Sequence, residues 1–349
     1  MSFSLNQPFI NFVVSESADS KTFLDSFEVY LNNLLSTFDV QTKELASHVL
    51  LGGGKRIRPF LVHTCAVGKQ KAAKEDLLKA ASVLEIVHVA TLVHDDILDN
   101  ADMRRDKATL HSVFGKQTSI LLGDALFSFA LELATEFSTT RICNIVSRAI
   151  RKTCTGEINQ NFNKQNYDLS ADQYFSIIQD KTGELFNASC SVGSYLAGAD
   201  EELIKMVGDF GTSLGLNYQI YDDLIDTFGS ESCFGKTLGT DFESGKLTLP
   251  IIRLLESLSA EKKKSLKSDL FKNENTDQFN RYLADLFIEY DIHHVCFSEL
   301  EKRLVNSKSI ASSIPDSNLS SRLVAFLSTF DNKLTKLSLN LVPNFLAIP

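Results

Sequence analysis

The sequence predicts an all-α fold in one domain spanning residues 1–349, on three observations. Apolar residues recur at helical spacing, first in the stripe Phe23, Phe27, Tyr30, Leu31 and Leu34. Residues 77–99, 121–137 and 206–227 are apolar on nearly every face, the mark of helices buried inside a helical assembly. Punctuation is sparse, with 6 Pro and 17 Gly, and alternating strands bounded by turn residues are hard to find, which argues against a sandwich or barrel.

In chain order, the first stripe predicts a helix that ends in a short link before a second helix over residues 43–51. A glycine-rich stretch, Gly52-Gly53-Gly54-Lys55-Arg56-Ile57-Arg58-Pro59, follows. The three apolar segments come next, and two of them, 77–99 and 206–227, end in carboxylates. Residues 257–279 are polar and lysine-rich and read as a solvated helix face plus a loop, not a binding patch. No repeat, low-complexity tract or linker divides the chain.

Composition narrows the function classes. A length of 349 residues, 44% hydrophobic and 23% charged, allows a deep core and excludes wholesale disorder. The formal charge of −9 disfavours a nucleic-acid partner, so an anionic ligand must be met by local Lys, Arg or metal. Six scattered cysteines fit neither a zinc site nor a disulfide framework and point to reduced thiols in the cytoplasm. The N-terminus lacks the basic start of a signal peptide. The most apolar run, residues 77–93, carries Lys79, Glu85 and His88 and reads as too short and too charged for a membrane anchor.

Two aspartate clusters carry the chemistry. Asp95-Asp96-Ile97-Leu98-Asp99 and Asp222-Asp223-Leu224-Ile225-Asp226 share one spacing, D-D-x-x-D. Residues four apart share a helix face, so Asp95 and Asp99 point one way, as do Asp222 and Asp226. Each set closes an apolar helix, where the helix dipole disfavours negative charge. Hard cations offset that cost, above all Mg²⁺, which shares its shell with substrate phosphates. Arg104 and Arg105 follow the first cluster, Lys236 and Lys246 the second, and the glycine-rich stretch sets main-chain N–H groups beside Lys55 and Arg58. It is not a P-loop: Val49 stands where Walker A needs glycine, and Arg56 where it needs a hydroxyl.

With these residues assembled, the sequence resembles the all-trans polyprenyl diphosphate synthases, class I head-to-tail prenyltransferases. The likeness runs from about Gly52 to Pro250 through GGGKRIRP, LEIVHVATLVHDDILDNADMRRDKATLH, LLGD, DKTGELF, YQIYDDLID and GKTLGTDFESGKLTLP. Asp106 departs from it, standing where the family usually has glycine. The resemblance implies a single bundle of long helices around a central cavity, the isoprenoid synthase type. Asp95, Asp99 and Asp222, supported by Asp96, Asp223 and Asp226, would hold three Mg²⁺ ions around an allylic diphosphate. Arg104, Lys181, Lys236 and Lys246 would complete that clamp, with Thr182 and Gln219 beside the carbocation. Lys55, Arg58, His88 and Arg105 would bind isopentenyl diphosphate. His94 reads as structural; Tyr218, Tyr221 and Phe186 read as core or cavity wall.

Product length is steric. The chain would grow along the helix before Asp95, past Thr91 and Ala90 and then Val87 and Ile86. The bulky aromatic of short-chain members is missing there, so the tunnel reads as open and the product as medium or long, with Phe127, Phe129 or Leu131 as a deeper floor. The wording of VHVATLVHDD and MRRDKATLH is also nearer to quinone side-chain synthases than to farnesyl diphosphate synthases. A short-chain synthase is the alternative. A terpene cyclase is disfavoured by the intact second cluster, and a non-catalytic subunit by the absence of any lost aspartate or basic residue. The resemblance also implies a homodimer, with residues 121–137 a source of its interface.

Overall fold

A computed structural model describes residues 18–68, 70–104, 107–229, 241, 244–271 and 277–338. The first half is built from α1 (Ala18–Leu34), α2 (Val40–Leu50), α3 (Ile57–Thr64), α4 (Lys74–Leu98), α5 (Leu110–Phe114), α6 (Lys116–Thr135) and α7 (Arg141–Phe162). The second half comprises α8 (Ala171–Ile178), α9 (Glu184–Leu196), α10 (Glu201–Phe228), α11 (Leu249–Ser257), α12 (Ala260–Phe271), α13 (Asp277–Glu289), α14 (Ile292–Ser312) and α15 (Ser317–Ser338). The all-α expectation holds. The described strands, β1 (Met103–Arg104) and β2 (Lys107–Ala108), form a small antiparallel hairpin with Met103 opposite Ala108. The polar segment is helical over α12, as its solvated-face reading required.

Local chemistry sets several helix starts. The Asp39 side chain accepts from the N–H groups of Gln41 and Thr42 to cap α2, and Asp200 caps α10 through Leu203 N–H. Ser170 and Gln173 form a reciprocal capping box at α8. Each side-chain oxygen satisfies a donor that the first helical turn leaves unpaired.

Two hydrophobic clusters make the core. One joins α1, α2, α4, α6 and α7; the other joins α3, α8, α10, α11 and the helices after them. Helix α9 serves both, giving Leu185, Ala188 and Val192 to the first and Phe186 and Cys190 to the second. Small residues let it sit this centrally. A Cβ on Gly211 of α10 would lie 2.6 Å from the Phe186 carbonyl oxygen, and one on Gly193 of α9 would lie 2.3 Å from that of Val62. Helices α9 and α10 therefore touch backbone to backbone.

Helix α4 is longer than its apolar run suggested. At 25 residues it is long and apolar enough to cross a membrane, as is α6. The expectation that this run is too short to span is therefore corrected, because the helix extends past it at both ends. Most of α4 is buried in protein, whereas α6 leaves Ile120 and Leu121 46% and 68% exposed.

Candidate active site

The first aspartate cluster lies in the last turn of α4, where Asp99 is the C-cap. The predicted conflict with the helix dipole is met by cations. Arg104, carried by the β hairpin, donates from Nε to Asp96 Oδ1 at 2.7 Å. Lys246 donates from Nζ to Asp99 Oδ2 at 2.7 Å. Burial pushes the Asp95 carboxyl up from its usual 3.8 to about 6; Lys181 and Arg104 resist that rise, and Glu157 and Asp99 add to it. Burial also raises Asp96, against the pull of Arg104.

The second cluster ends α10. Asp223 accepts from the Tyr174 hydroxyl at 2.6 Å through Oδ2 and from Gln219 Nε2 at 2.9 Å through Oδ1. Burial and the nearby Asp241 push it up to about 8, although both hydrogen bonds favour the charged form. Gln219 Oε1 in turn accepts from Thr182 Oγ1 at 2.8 Å. Asp226 accepts from the Asp241 N–H at 3.2 Å.

Lys246 brings the clusters together. It is buried and bonds Asp99 of the first cluster, while its Nζ lies 3.4 Å from Asp241 Oδ1. The Asp241 backbone reaches Asp226 of the second cluster. Burial opposes the charge on Lys246, but Asp241 and Asp99 outweigh it, so the ammonium stays protonated.

Lys181 and Thr182 stand on a wider turn, a π-helical segment Gln179–Gly183 between α8 and α9. Such turns recur at functional sites because one extra residue redirects the side chains. Gly156 of α7 admits this turn: a Cβ there would lie 2.3 Å from the Lys181 nitrogen. The Lys181 ammonium is held by Glu157 at 2.5 Å and Gln160 at 2.7 Å. Burial works against its charge, yet Asp95 and Glu157 raise its pKa.

In the glycine-rich loop, Gly53 at φ 84° and Gly54 at φ 157° adopt backbone that other residues rarely take. Lys55 donates to the Tyr218 hydroxyl at 3.2 Å, and the Arg58 guanidinium lies 4.9 Å from the Phe186 ring centre. Of the two alternatives, Phe186 is core, and Tyr218 packs against it with ring centres 5.8 Å apart. His88 is half-buried on α4. His94 packs against Gly123 and Phe127 of α6, in keeping with its structural reading. Arg105, Asp106 and Lys236 lie outside the described residues.

The residues proposed for the tunnel differ in burial. Ile86, Val87 and Ala90 are all at 0% exposure within the first core cluster, whereas Thr91 is half-buried. His88, one turn before Thr91, is half-buried too, and the Thr91 hydroxyl donates to its carbonyl at 2.7 Å. Of the suggested floor residues, Phe129 packs on Phe38 at 4.6 Å and Phe127 on His94 at 5.7 Å.

Sequence reasoning missed Glu157, Gln160, Tyr174 and Asp241. Glu157 and Gln160 had a legible signal, two polar residues one turn apart just after a helical glycine. Tyr174 had none, because its partner Asp223 is distant in the chain, whereas Asp241 stands in the quoted motif five residues before Lys246.

The donor set fits a hard divalent cation. Asp99 Oδ1 is buried without a hydrogen-bond partner, a cost that a metal would relieve. Among the described residues no three acidic, His or Cys side chains form a ready cage. Mg²⁺ needs none, since one or two carboxylates, waters and substrate phosphates complete its shell.

An all-helical bundle with paired aspartate clusters and buried cations between them is the architecture of the isoprenoid synthases. The chain belongs to the polyprenyl synthetase family, whose model matches residues 40–286. It is 34% identical to octaprenyl diphosphate synthase of Escherichia coli, over 66% of this chain and 71% of that one. It is 36% identical to a short chain isoprenyl diphosphate synthase of Methanocaldococcus jannaschii, over 63% and 68%. Among solved structures it resembles a polyprenyl synthase from Caulobacter crescentus complexed with calcium and isoprenyl diphosphate. That likeness has a TM-score of 0.81 and 28% identity, covering 92% of this chain and 96% of that one. The protein is a prenyltransferase of isoprenoid biosynthesis.

Proposed function

We propose that the chain condenses isopentenyl diphosphate with an allylic diphosphate, such as farnesyl or geranylgeranyl diphosphate. The product would be a medium- or long-chain all-trans polyprenyl diphosphate, with diphosphate released. The observation that carries this reading is the Lys246 bridge, which ties both aspartate clusters to one buried cation.

Asp95, Asp99 and Asp222 would hold Mg²⁺, with Asp96, Asp223 and Asp226 in support. When bound, the metal supplies charge stabilisation on the departing diphosphate. Arg104, Lys181, Lys236 and Lys246 bind and orient that group, acting most strongly as its charge grows. Thr182 and Gln219 direct their dipoles toward the allylic carbons. Lys55, Arg58, His88 and Arg105 hold isopentenyl diphosphate, and its double bond attacks the allylic carbon. The proton lost from the new tertiary cation goes to the released diphosphate. Apolar α4 and α10 walls exclude water, which would otherwise trap the cation as an alcohol.

The missing Phe or Tyr in the two turns before Asp95 supports a longer product. The full burial of Ile86, Val87 and Ala90 favours the second reading, a short-chain synthase. Exposed Ile120 and Leu121 on apolar α6 support a homodimer, and unpaired thiols among the described residues support a reducing, cytoplasmic setting.

The test is incubation with Mg²⁺, farnesyl diphosphate and labelled isopentenyl diphosphate, followed by product sizing. A ladder beyond geranylgeranyl length is expected; a stop at or before it selects the short-chain reading, and no incorporation removes both. Asp99→Ala should lower kcat by about 10²–10³, the scale of losing one pre-organised charge-stabilising group, while its circular dichroism stays helical.

A further inference from the structure

Arg56 sits between Lys55 and Arg58, yet its side chain runs the other way. Lys55 and Arg58 reach Tyr218 and Phe186 on α10 and α9. Arg56 turns back into the first half of the molecule. Its Nε donates to Glu28 Oε1 at 2.7 Å and its Nη2 to Glu28 Oε2 at 3.2 Å. Nη1 donates to Glu85 Oε1 at 2.8 Å, and Nη2 also donates to the Leu50 carbonyl at 2.8 Å. One buried guanidinium therefore joins α1, the end of α2 and α4. Its backbone is left-handed, at φ 45°, an uncommon conformation for a residue other than glycine.

A buried ion group is a poor source of stability, because hydrophobic residues of similar size do as well; its better-attested use is to fix geometry. Here the fixed object is the loop. Gly53 and Gly54 leave its entry free, so the direction taken by Lys55 and Arg58 depends on what anchors the residue between them. Glu85 lies one turn before His88 on α4, so the same contact sets the loop against the helix that carries His88.

We infer that Arg56, clasped by Glu85 and Glu28, is a positioning residue for the isopentenyl diphosphate subsite, aiming Lys55 and Arg58 without touching substrate. This rests on the reading of Lys55, Arg58 and His88 as diphosphate-binding groups.

The test compares wild type with Arg56→Gln, Arg56→Lys, Glu85→Gln and Glu28→Gln. The readouts are KM for each substrate, kcat, Tm and direct calorimetric binding of isopentenyl diphosphate. Arg56→Gln and Glu85→Gln should raise KM and Kd for isopentenyl diphosphate about ten- to hundredfold, the range for a misplaced binding group. The allylic KM and kcat should stay within about twofold, the split expected when one substrate's uniform binding is lost. Arg56→Lys, which keeps charge but loses the fork, should fall between. A lower Tm with unchanged isopentenyl KM, or an equal rise in both KM values, overturns the inference. Glu28 is half-exposed, so Glu28→Gln decides if the buried variants do not fold. An isopentenyl KM about threefold higher supports the clasp, since one partner of a shared guanidinium is lost, and no change overturns it. Wild type that fails to bind isopentenyl diphosphate removes the subsite reading, and the inference with it. Wild type that binds beside unaffected variants removes the inference alone.

Discussion

At the residue scale, the two clusters are not equivalent carboxylate by carboxylate. Asp223 spends both oxygens on Tyr174 and Gln219, whereas Asp99 keeps one oxygen buried and unpaired. The first is satisfied within the protein; the second leaves an acceptor that the proposed cation would fill. Their titration gives a pH prediction. Burial raises Asp95 to about 6 and Asp223 to about 8, so on the proposed function a divalent cation competes with protons there increasingly as the pH falls. Mg²⁺ affinity, measured by calorimetry with a diphosphate analogue, should therefore rise with pH between about 6 and 8 and flatten above. Tyr174→Phe removes a hydrogen bond that favours charged Asp223, so the upper limb should move to higher pH. An unmoved limb would separate Asp223 from the binding event.

At the element scale, glycines divide into those that set packing and those that set chemistry. Gly211→Ala puts a methyl group 2.6 Å from the Phe186 carbonyl oxygen, so α9 and α10 must part. A loss of about 1–3 kcal/mol is expected by denaturant titration, the usual cost of overpacking, with both KM values little changed. Gly156→Ala instead presses on the Lys181 nitrogen. It should lower kcat by about tenfold or more, because small displacements of an orienting group are costly. The long helices were legible because a 3.6-residue apolar period survives in sequence, and D-D-x-x-D spacing fixed a shared face for Asp95 and Asp99. The π-helical turn was not legible: one extra residue in a continuous helix leaves no mark in periodicity. The contact between Gly156 and Lys181 is long-range and left none either. Glu85 was half-legible, since a carboxylate in so apolar a helix demands a partner, but its pairing with Arg56 is tertiary.

At the scale of the whole molecule, the division into two cores met at α9 was invisible in sequence, because α9 serves both with adjacent residues and shows only a buried face. The exposed side of α6 was legible as apolar but not as interface or interior. If the proposed homodimer uses α6, Leu121→Glu should shift it toward monomer by light scattering, with helical content kept, while a dimer that persists moves the interface elsewhere.

The Lys246 bridge has a consequence for the two clusters it joins. Asp99 belongs to one half of the bundle, and Lys246, Asp241 and Asp226 belong to the other. Without cargo, two acidic rims would repel across the gap; the lysine closes them like a latch. On the proposed function, an incoming diphosphate would compete with Asp99 for the ammonium, and its bound cation would offset the carboxylates in place of the lysine. On release, the lysine would return to Asp99 and screen the two clusters from each other. The proposed reaction would then trade an internal strap for the guest's own charge, and back again.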